Sequence, residues 1–321
     1  MKRYLLYFLC FFLCVALTPT VFALMPEGLK PKERETVAEV SDNSLPHVDT
    51  GNSVSTIKVK LTDDDAVITV GLEDYVTGVL FTEIPSNAPN ELIKTMAIVI
   101  RTYAVYHAKL GDKGHSGFDF CDDFTHCRGF TSSEIDDEVI KKAVADTKGL
   151  VICYNGEVID PVVHISSSGK TESAENVFGK KIPYLVSVDT PDEAEMPSFH
   201  QKKELTKDEF AAILSANGFD INKSTSHTGW ISYIARTPGG RIKIAYIGGH
   251  EISGAKFATM FGLQSTNITI STGENGFILN AVGIGHGVGL SIYGGWVMAK
   301  EGKKYSEIIV HYFSGAYIAY N

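Results

Sequence analysis

The chain has 321 residues, enough for one large domain or two smaller ones, and its 44% hydrophobic and 21% charged content excludes a disordered or collagen-like protein. With 29 Lys and Arg against 38 Asp and Glu, the formal charge is -9, which argues against nucleic acid as the main partner. Five cysteines are too few for a disulfide scaffold at this length.

Lys2 and Arg3 precede an uncharged, largely apolar run from Tyr4 to Met25. That run is long enough to cross a hydrocarbon core as a helix despite Pro19, and the positive N-terminal side stays cytoplasmic. Val21 and Ala23 equally fit a signal-peptidase site, so residues 1–25 read as a membrane anchor or a cleaved signal. On either reading the remainder is exported, with the cell membrane as its place if the anchor is kept. Residues 26–54 carry Pro26, Pro31 and Pro46 among polar residues and read as a flexible stalk. Residues 55–321 form the folded region.

Its first strand begins near Thr56, where Ile57, Val59 and Leu61 alternate with polar residues; a second runs from Ala66 to Val70. A helix is predicted from about Pro89 to Leu110, capped by Ser86 or Asn87. Its apolar stripe is Leu92, Met96, Val99, Tyr103 and Tyr106, with Arg101 off the stripe. Asn155-Gly156 is a strong hairpin turn between the strands Leu150–Tyr154 and Glu157–His164. The sequence changes texture over about 204–273. Here a helix predicted at Leu205–Asn217, with Thr206 as cap, precedes strands Trp230–Thr237 and Arg241–Tyr246 around Pro238-Gly239-Gly240. This stretch reads as a smaller inserted α/β subdomain. Helices at Ile292–Lys300 and Tyr305–Phe313 close an α+β fold of mixed sheets.

Glu83 lies between Phe81 and Ile84, a setting that can desolvate its carboxyl and raise its pKa toward the working range of a general acid. The plain alternative is a surface-loop glutamate, with Arg101 a solvated arginine. His115, Cys121, His126 and Cys127 supply two thiols and two imidazoles within 13 residues, a full ligand set for tetrahedral zinc. A Cys121–Cys127 disulfide, which an exported chain permits, or an unbound pair are the competing readings. A closed set of four ligands would make any zinc structural. Cys153 reads as a small core residue. Ser166 to Thr171 contains Gly-Lys-Thr but has His164 where a phosphate-binding loop needs glycine, so it reads as a polar loop lining a site. Glycines 283, 285, 287 and 289 surround His286 and let another surface approach the backbone.

Six motifs occur in a fixed order: Glu83-Ile84-Pro85, Arg101-Thr102-Tyr103-Ala104, Cys121-Asp122-Asp123 with Thr125-His126-Cys127, Ser168-Gly169-Lys170-Thr171, Pro183-Tyr184-Leu185, and Gly285 to Ser291. In that order the chain resembles the stage II sporulation protein D family from about Thr56 to Asn321. The resemblance implies a membrane-anchored lytic transglycosylase acting in engulfment of the developing spore. Such an enzyme cleaves the MurNAc–GlcNAc bonds of peptidoglycan and leaves 1,6-anhydro ends. It implies Glu83 as the catalytic acid in a glycan cleft, with Arg101, Lys170, Tyr184 and His286 as candidates for glycan positioning. No cofactor is required for that chemistry. It also implies glycan strands already stripped of stem peptides by a partner cell-wall amidase, and other engulfment proteins as partners. Phe178 and Ala258 depart from the family's usual Trp and Arg. The same broad family includes amidase enhancers, so a non-catalytic glycan-binding activator of an amidase is the alternative. A zinc hydrolase using the four Cys and His residues is a weaker third.

Overall fold

The computed structural model describes residues 45–48, 54–63, 65–111, 114–167, 169–197 and 199–321. The expected anchor or signal and nearly all of the expected stalk lie outside the described residues. Among the described residues, no helix is long and apolar enough to cross a membrane.

Strands β1 (Thr56–Lys60) and β2 (Val67–Gly71) pair antiparallel, and β3 (Phe120–Cys121) adds to β1 in parallel, with Lys60 opposite Cys121. Helix α1 (Leu72–Glu83) follows β2 without a loop, so Glu83 ends a helix rather than sitting in a surface loop. Leu72, Tyr75, Val76, Val79 and Leu80 are buried along it, the spacing of one helical face. It stops because Ile84, which precedes Pro85, takes extended backbone.

Helix α2 (Asn90–Leu110) starts after Pro89, the N-cap, and no side chain caps it, so Ser86 and Asn87 do not take the role expected of them. Gly111 ends it in the left-handed region, at φ 59°. This helix is buried nearly all round, with Ile93, Met96, Ile100, Arg101 and Ala104 all inaccessible. Helix α3 (Glu138–Asp146) is capped by Asp137, which accepts from the Val139 and Ile140 amides. Strands β4 (Leu150–Tyr154) and β5 (Glu157–Val158) form the expected hairpin, with Asn155 and Gly156 both at positive φ. The expected strand Glu157–His164 is broken around Pro161, which has no N–H to donate, and resumes as β6 (Val163–His164).

After α4 (Ala174–Phe178) comes β7 (His200–Thr206), then α5 (Lys207–Ala216), whose capping box joins Thr206 and Glu209 as foreseen at Thr206. Strands β8 (Ile231–Arg236), β9 (Ile242–Ile247) and β10 (His250–Ser253) form one antiparallel sheet, followed by α6 (Gly254–Met260). Strands β11 (Ile268–Thr272) and β12 (Gly276–Val282) join β7 in another. Strand β13 (Leu290–Ser291) pairs in parallel with β6 and leads into α7 (Ile292–Lys300) and α8 (Tyr305–Tyr312). Strand β14 (Tyr317–Tyr320) returns to β4, with Tyr320 opposite Leu150. The fold is α+β. One apolar core surrounds α2, with Ile57, Tyr75, Ile152, Ile309 and Phe313. A second core gathers Phe210, Leu214, Trp230, Ala245, Phe257, Phe261 and Phe277. Phe210 and Phe277 stack within it, with ring centroids 4.0 Å apart.

Candidate active site

Glu83 occupies the last turn of α1 with its side chain 22% exposed. Its Oε1 lies 3.2 Å from Nε of Arg128. Burial raises its pKa above that of an ordinary glutamate, and the Arg128 charge works in the opposite direction. Arg128 is itself nearly buried, with Cζ 5.3 Å from the centre of the Tyr103 ring. Beside this pair, the Thr82 hydroxyl shares its one proton between the carbonyls of Val79 (2.8 Å) and Gly129 (2.9 Å). Below it Tyr75 stacks on Phe120 and on Phe130, at 5.3 and 5.5 Å. Burial pushes the Tyr75 hydroxyl pKa well up, so it stays neutral. Phe81 and Phe124 stand exposed on α1 and on the neighbouring loop.

That loop carries the four soft donors, and the structure brings them together. The donor atoms of His115, Cys121, His126 and Cys127 all lie within 4.8 Å of one another. His115 Nε2 is 3.2 Å from His126 Nδ1, which lies 3.5 Å from Cys121 Sγ and 3.7 Å from Cys127 Sγ. The edges of a tetrahedron built on the usual Zn–N and Zn–S bonds measure roughly 3.3–3.8 Å, so the set fits a zinc ion. Nδ1 of His115 sits 3.0 Å from the Asp119 carbonyl, to which it donates when Nε2 faces the cluster. Both cysteines are free thiols in the structure.

The remaining candidates lie elsewhere. Arg101 is fully buried, so it is neither solvated nor a glycan contact. Its guanidinium is bidentate on Glu73 and reaches the carbonyls of Leu150 and Val144. Tyr184 accepts from the Asp160 amide at 3.1 Å, which fixes the turn before β6; burial pushes its hydroxyl up to about 12. Lys170 is half-buried, with its side chain 44% exposed, and lies 4.0 Å from Asp189. His286 packs against Phe178 and His164, and its Nδ1 accepts from the Val288 amide. None of these four bonds to Glu83; among the described residues its ion-pair partner is Arg128.

His286 borders a second, buried polar network. Glu193 accepts from the Ser166, Thr190 and Ser291 hydroxyls and from the Ser167 amide. Ser166 and Ser167, expected to line a site, are therefore inside the protein. The Arg241 guanidinium packs on Gly287, where an added Cβ would come within 2.6 Å of it. This explains one glycine of the Gly-His-Gly run by close approach, as expected. Sequence reasoning missed Arg128, Glu193 and Arg241. Only the position of Arg128, directly after a candidate ligand, offered a signal.

A model of the family described as Stage II sporulation protein matches residues 62–154, a span holding Glu83, Arg128 and all four clustered donors. Stage II sporulation protein D of Bacillus subtilis (strain 168) is 31% identical over 279 residues, which cover 82% of this chain and 78% of that protein. The chain belongs to the stage II sporulation protein D family. Another relative of this stage II sporulation protein D family member is an uncharacterized protein of Brachyspira hyodysenteriae. It is 32% identical over 259 residues, or 78% of this chain and 68% of that protein. The amidase enhancer of Bacillus subtilis is 24% identical over 294 residues, 74% of this chain but 39% of its own length.

Proposed function

We propose that the folded region is a lytic transglycosylase of peptidoglycan, used in engulfment of the spore, with Glu83 as its one acid and base. The observation that carries this reading is the state of Glu83. It is a half-buried carboxyl with a raised pKa, ion-paired to Arg128, with exposed aromatic rings at Phe81 on its own helix and Phe124 on the neighbouring loop. Hydrolysing glycosidases place a second carboxyl within about 5–10 Å to attack the sugar or activate water. The charged group paired with Glu83 is the cation of Arg128, 3.2 Å from Oε1. A single carboxyl suffices if the substrate supplies the nucleophile. Glu83 gives its proton to the glycosidic oxygen as the C1–O bond breaks. The resulting carboxylate then takes the proton of the MurNAc C6 hydroxyl as O6 bonds to C1. The products are a 1,6-anhydro end and a free GlcNAc hydroxyl, and no water is consumed.

Aromatic rings at Phe81 and Phe124 suit the apolar faces of sugars. A zinc ion on His115, Cys121, His126 and Cys127 would have no open position and would supply order to the loop rather than reaction chemistry. On this reading the N-terminal run holds the enzyme at the membrane. Its substrate is glycan from which a partner amidase has removed the stem peptides.

Likeness to an amidase enhancer favours a second reading, a glycan-binding activator without catalysis. One experiment separates them. The folded region alone is incubated with purified glycan strands and the ends are analysed by mass. Anhydro ends support the transglycosylase, hydrated ends a hydrolase, and binding without cleavage the activator.

A further inference from the structure

The loop of four donors does more than pack near Glu83. Cys127 is one of the donors, and the next two residues both engage the end of α1. Arg128 pairs with Glu83, while the Gly129 carbonyl accepts from Thr82, the residue before Glu83. Two consecutive loop residues thus grip two consecutive helix residues. Gly129 suits this grip, since a Cβ there would lie 3.2 Å from the Thr82 hydroxyl. Both ends of the loop rest on the same helix, with Phe120 and Phe130 stacked on Tyr75. The Tyr103 ring covers the guanidinium from α2.

Arg128 Nη1 is also buried without a hydrogen-bond partner among the described residues. An unpaired buried donor costs stability, on the order of 1–3 kcal/mol, which the contact of the guanidinium with the Tyr103 ring offsets in part. Arginine can hold one carboxylate oxygen in a fixed direction better than a flexible ammonium can. Here its Nε lies 3.2 Å from Oε1, an ion pair that draws the Glu83 carboxyl toward the loop.

We propose that Arg128 is a positioning residue through which the metal-binding loop orders the catalytic acid: zinc on the four donors holds the loop, and the loop holds Arg128 and Gly129 on Glu83 and Thr82. The proposal rests on the reading of Glu83 as the acid and of the donors as a zinc site. Its physical core, coupling between the loop and the helix end, does not depend on turnover.

The test is a double-mutant cycle on the folded region, with Glu83→Gln, Arg128→Gln and the double variant melted both zinc-loaded and after chelation. In loaded protein the two single Tm shifts are expected to overlap, so that the double variant loses clearly less than their sum. After chelation the shifts become additive. Additive shifts in loaded protein overturn the coupling, and equal non-additivity with and without zinc overturns the part assigned to the metal. In cleavage of glycan strands, Arg128→Gln is expected to lower kcat about tenfold or more with KM within about twofold, from loss of orientation. Arg128→Lys is expected to recover part of the loss. Wild-type kcat in Arg128→Gln overturns the positioning role. Failure of the wild-type protein to cleave overturns the transglycosylase reading instead, and the melting cycle still decides the coupling.

Discussion

Arg101 holds Glu73 with both arms of its guanidinium, Nε to Oε1 at 2.9 Å and Nη2 to Oε2 at 2.6 Å. Through the Val144 and Leu150 carbonyls the same group also reaches the end of α3 and the start of β4. One buried cation therefore ties four elements around the core. Removing one member of a buried pair leaves the other unpaired, at a cost of about 3–5 kcal/mol. Glu73 is 28% exposed, so water would relieve part of that and the lower end applies. Arg101→Ala is expected to lower the urea midpoint strongly while activity per folded molecule persists. Arg101→Lys is expected to rescue little, because an ammonium cannot make the bidentate pair. Near-wild-type stability with lost cleavage would return Arg101 to the glycan site.

Glu83 must be protonated to donate, so its pH dependence has a definite sign. Burial raises its pKa above that of free glutamate. Cleavage is therefore expected to fall as pH rises through that raised pKa, later than it would for an exposed glutamate. Glu83→Gln keeps the shape and loses the proton, and is expected to lose at least about 10²–10⁴-fold in kcat with binding and fold intact. Release of anhydro-ended fragments across a pH series measures both effects. An active Glu83→Gln protein would remove the residue from its role.

What sequence pattern reveals here follows from range. Thr206 and Asn155-Gly156 act on residues within three positions, so their cap and turn are readable directly. The four donors fall between 115 and 127, and local chemistry alone suggests that they meet. Arg101 is different. A stripe predicts that off-stripe residues see water, but α2 is covered on nearly every side, and its arginine finds a partner 28 positions earlier. Arg128 and Glu83 are 45 positions apart in sequence and meet only because β3 lies beside β1 and the loop then folds back over α1. The network of Glu193 and Arg241 likewise joins segments that no local pattern connects.

His164 and His286 provide a stability prediction. Burial first, then the nearby charges of His286 and Arg241, depress His164 to about 3. Burial and Arg241 depress His286 to about 4. The unfolded chain binds these protons near the ordinary histidine value of about 6.5, whereas the native protein resists them. Between those values the unfolded state carries more protons, so stability rises with pH and is lost as pH falls from about 6.5. Each group can contribute up to roughly 1.4 kcal/mol per pH unit in that window. Melts at pH 7 and pH 5 are expected to differ clearly, with the difference reduced in His164→Gln. Flat stability across the window would mean that both imidazoles titrate as exposed groups do.

Zinc is the last prediction. Four donors within 4.8 Å of one another, with separations of 3.2, 3.5, 3.7 and 3.9 Å close to the edges of a tetrahedral shell, fit one ion per chain. Such an ion would lend its binding energy to the fold, so a chelator is expected to lower the Tm. Acid is expected to act in the same direction, because protons compete with the metal for imidazole and thiolate. Elemental analysis of folded region purified without added metal is expected to give one zinc per molecule. A thiol assay on native protein is expected to register few groups, since Cys121 and Cys127 are protected by the metal. Cys153 is buried, and burial pushes its thiol up to about 11. After denaturation with chelator, Cys121, Cys127 and Cys153 are all expected to react. If instead no zinc is found and Cys153 alone reacts after denaturation, Cys121 and Cys127 form a disulfide. The loop then grips Glu83 by a covalent tie, and neither chelation nor mild acid would loosen it.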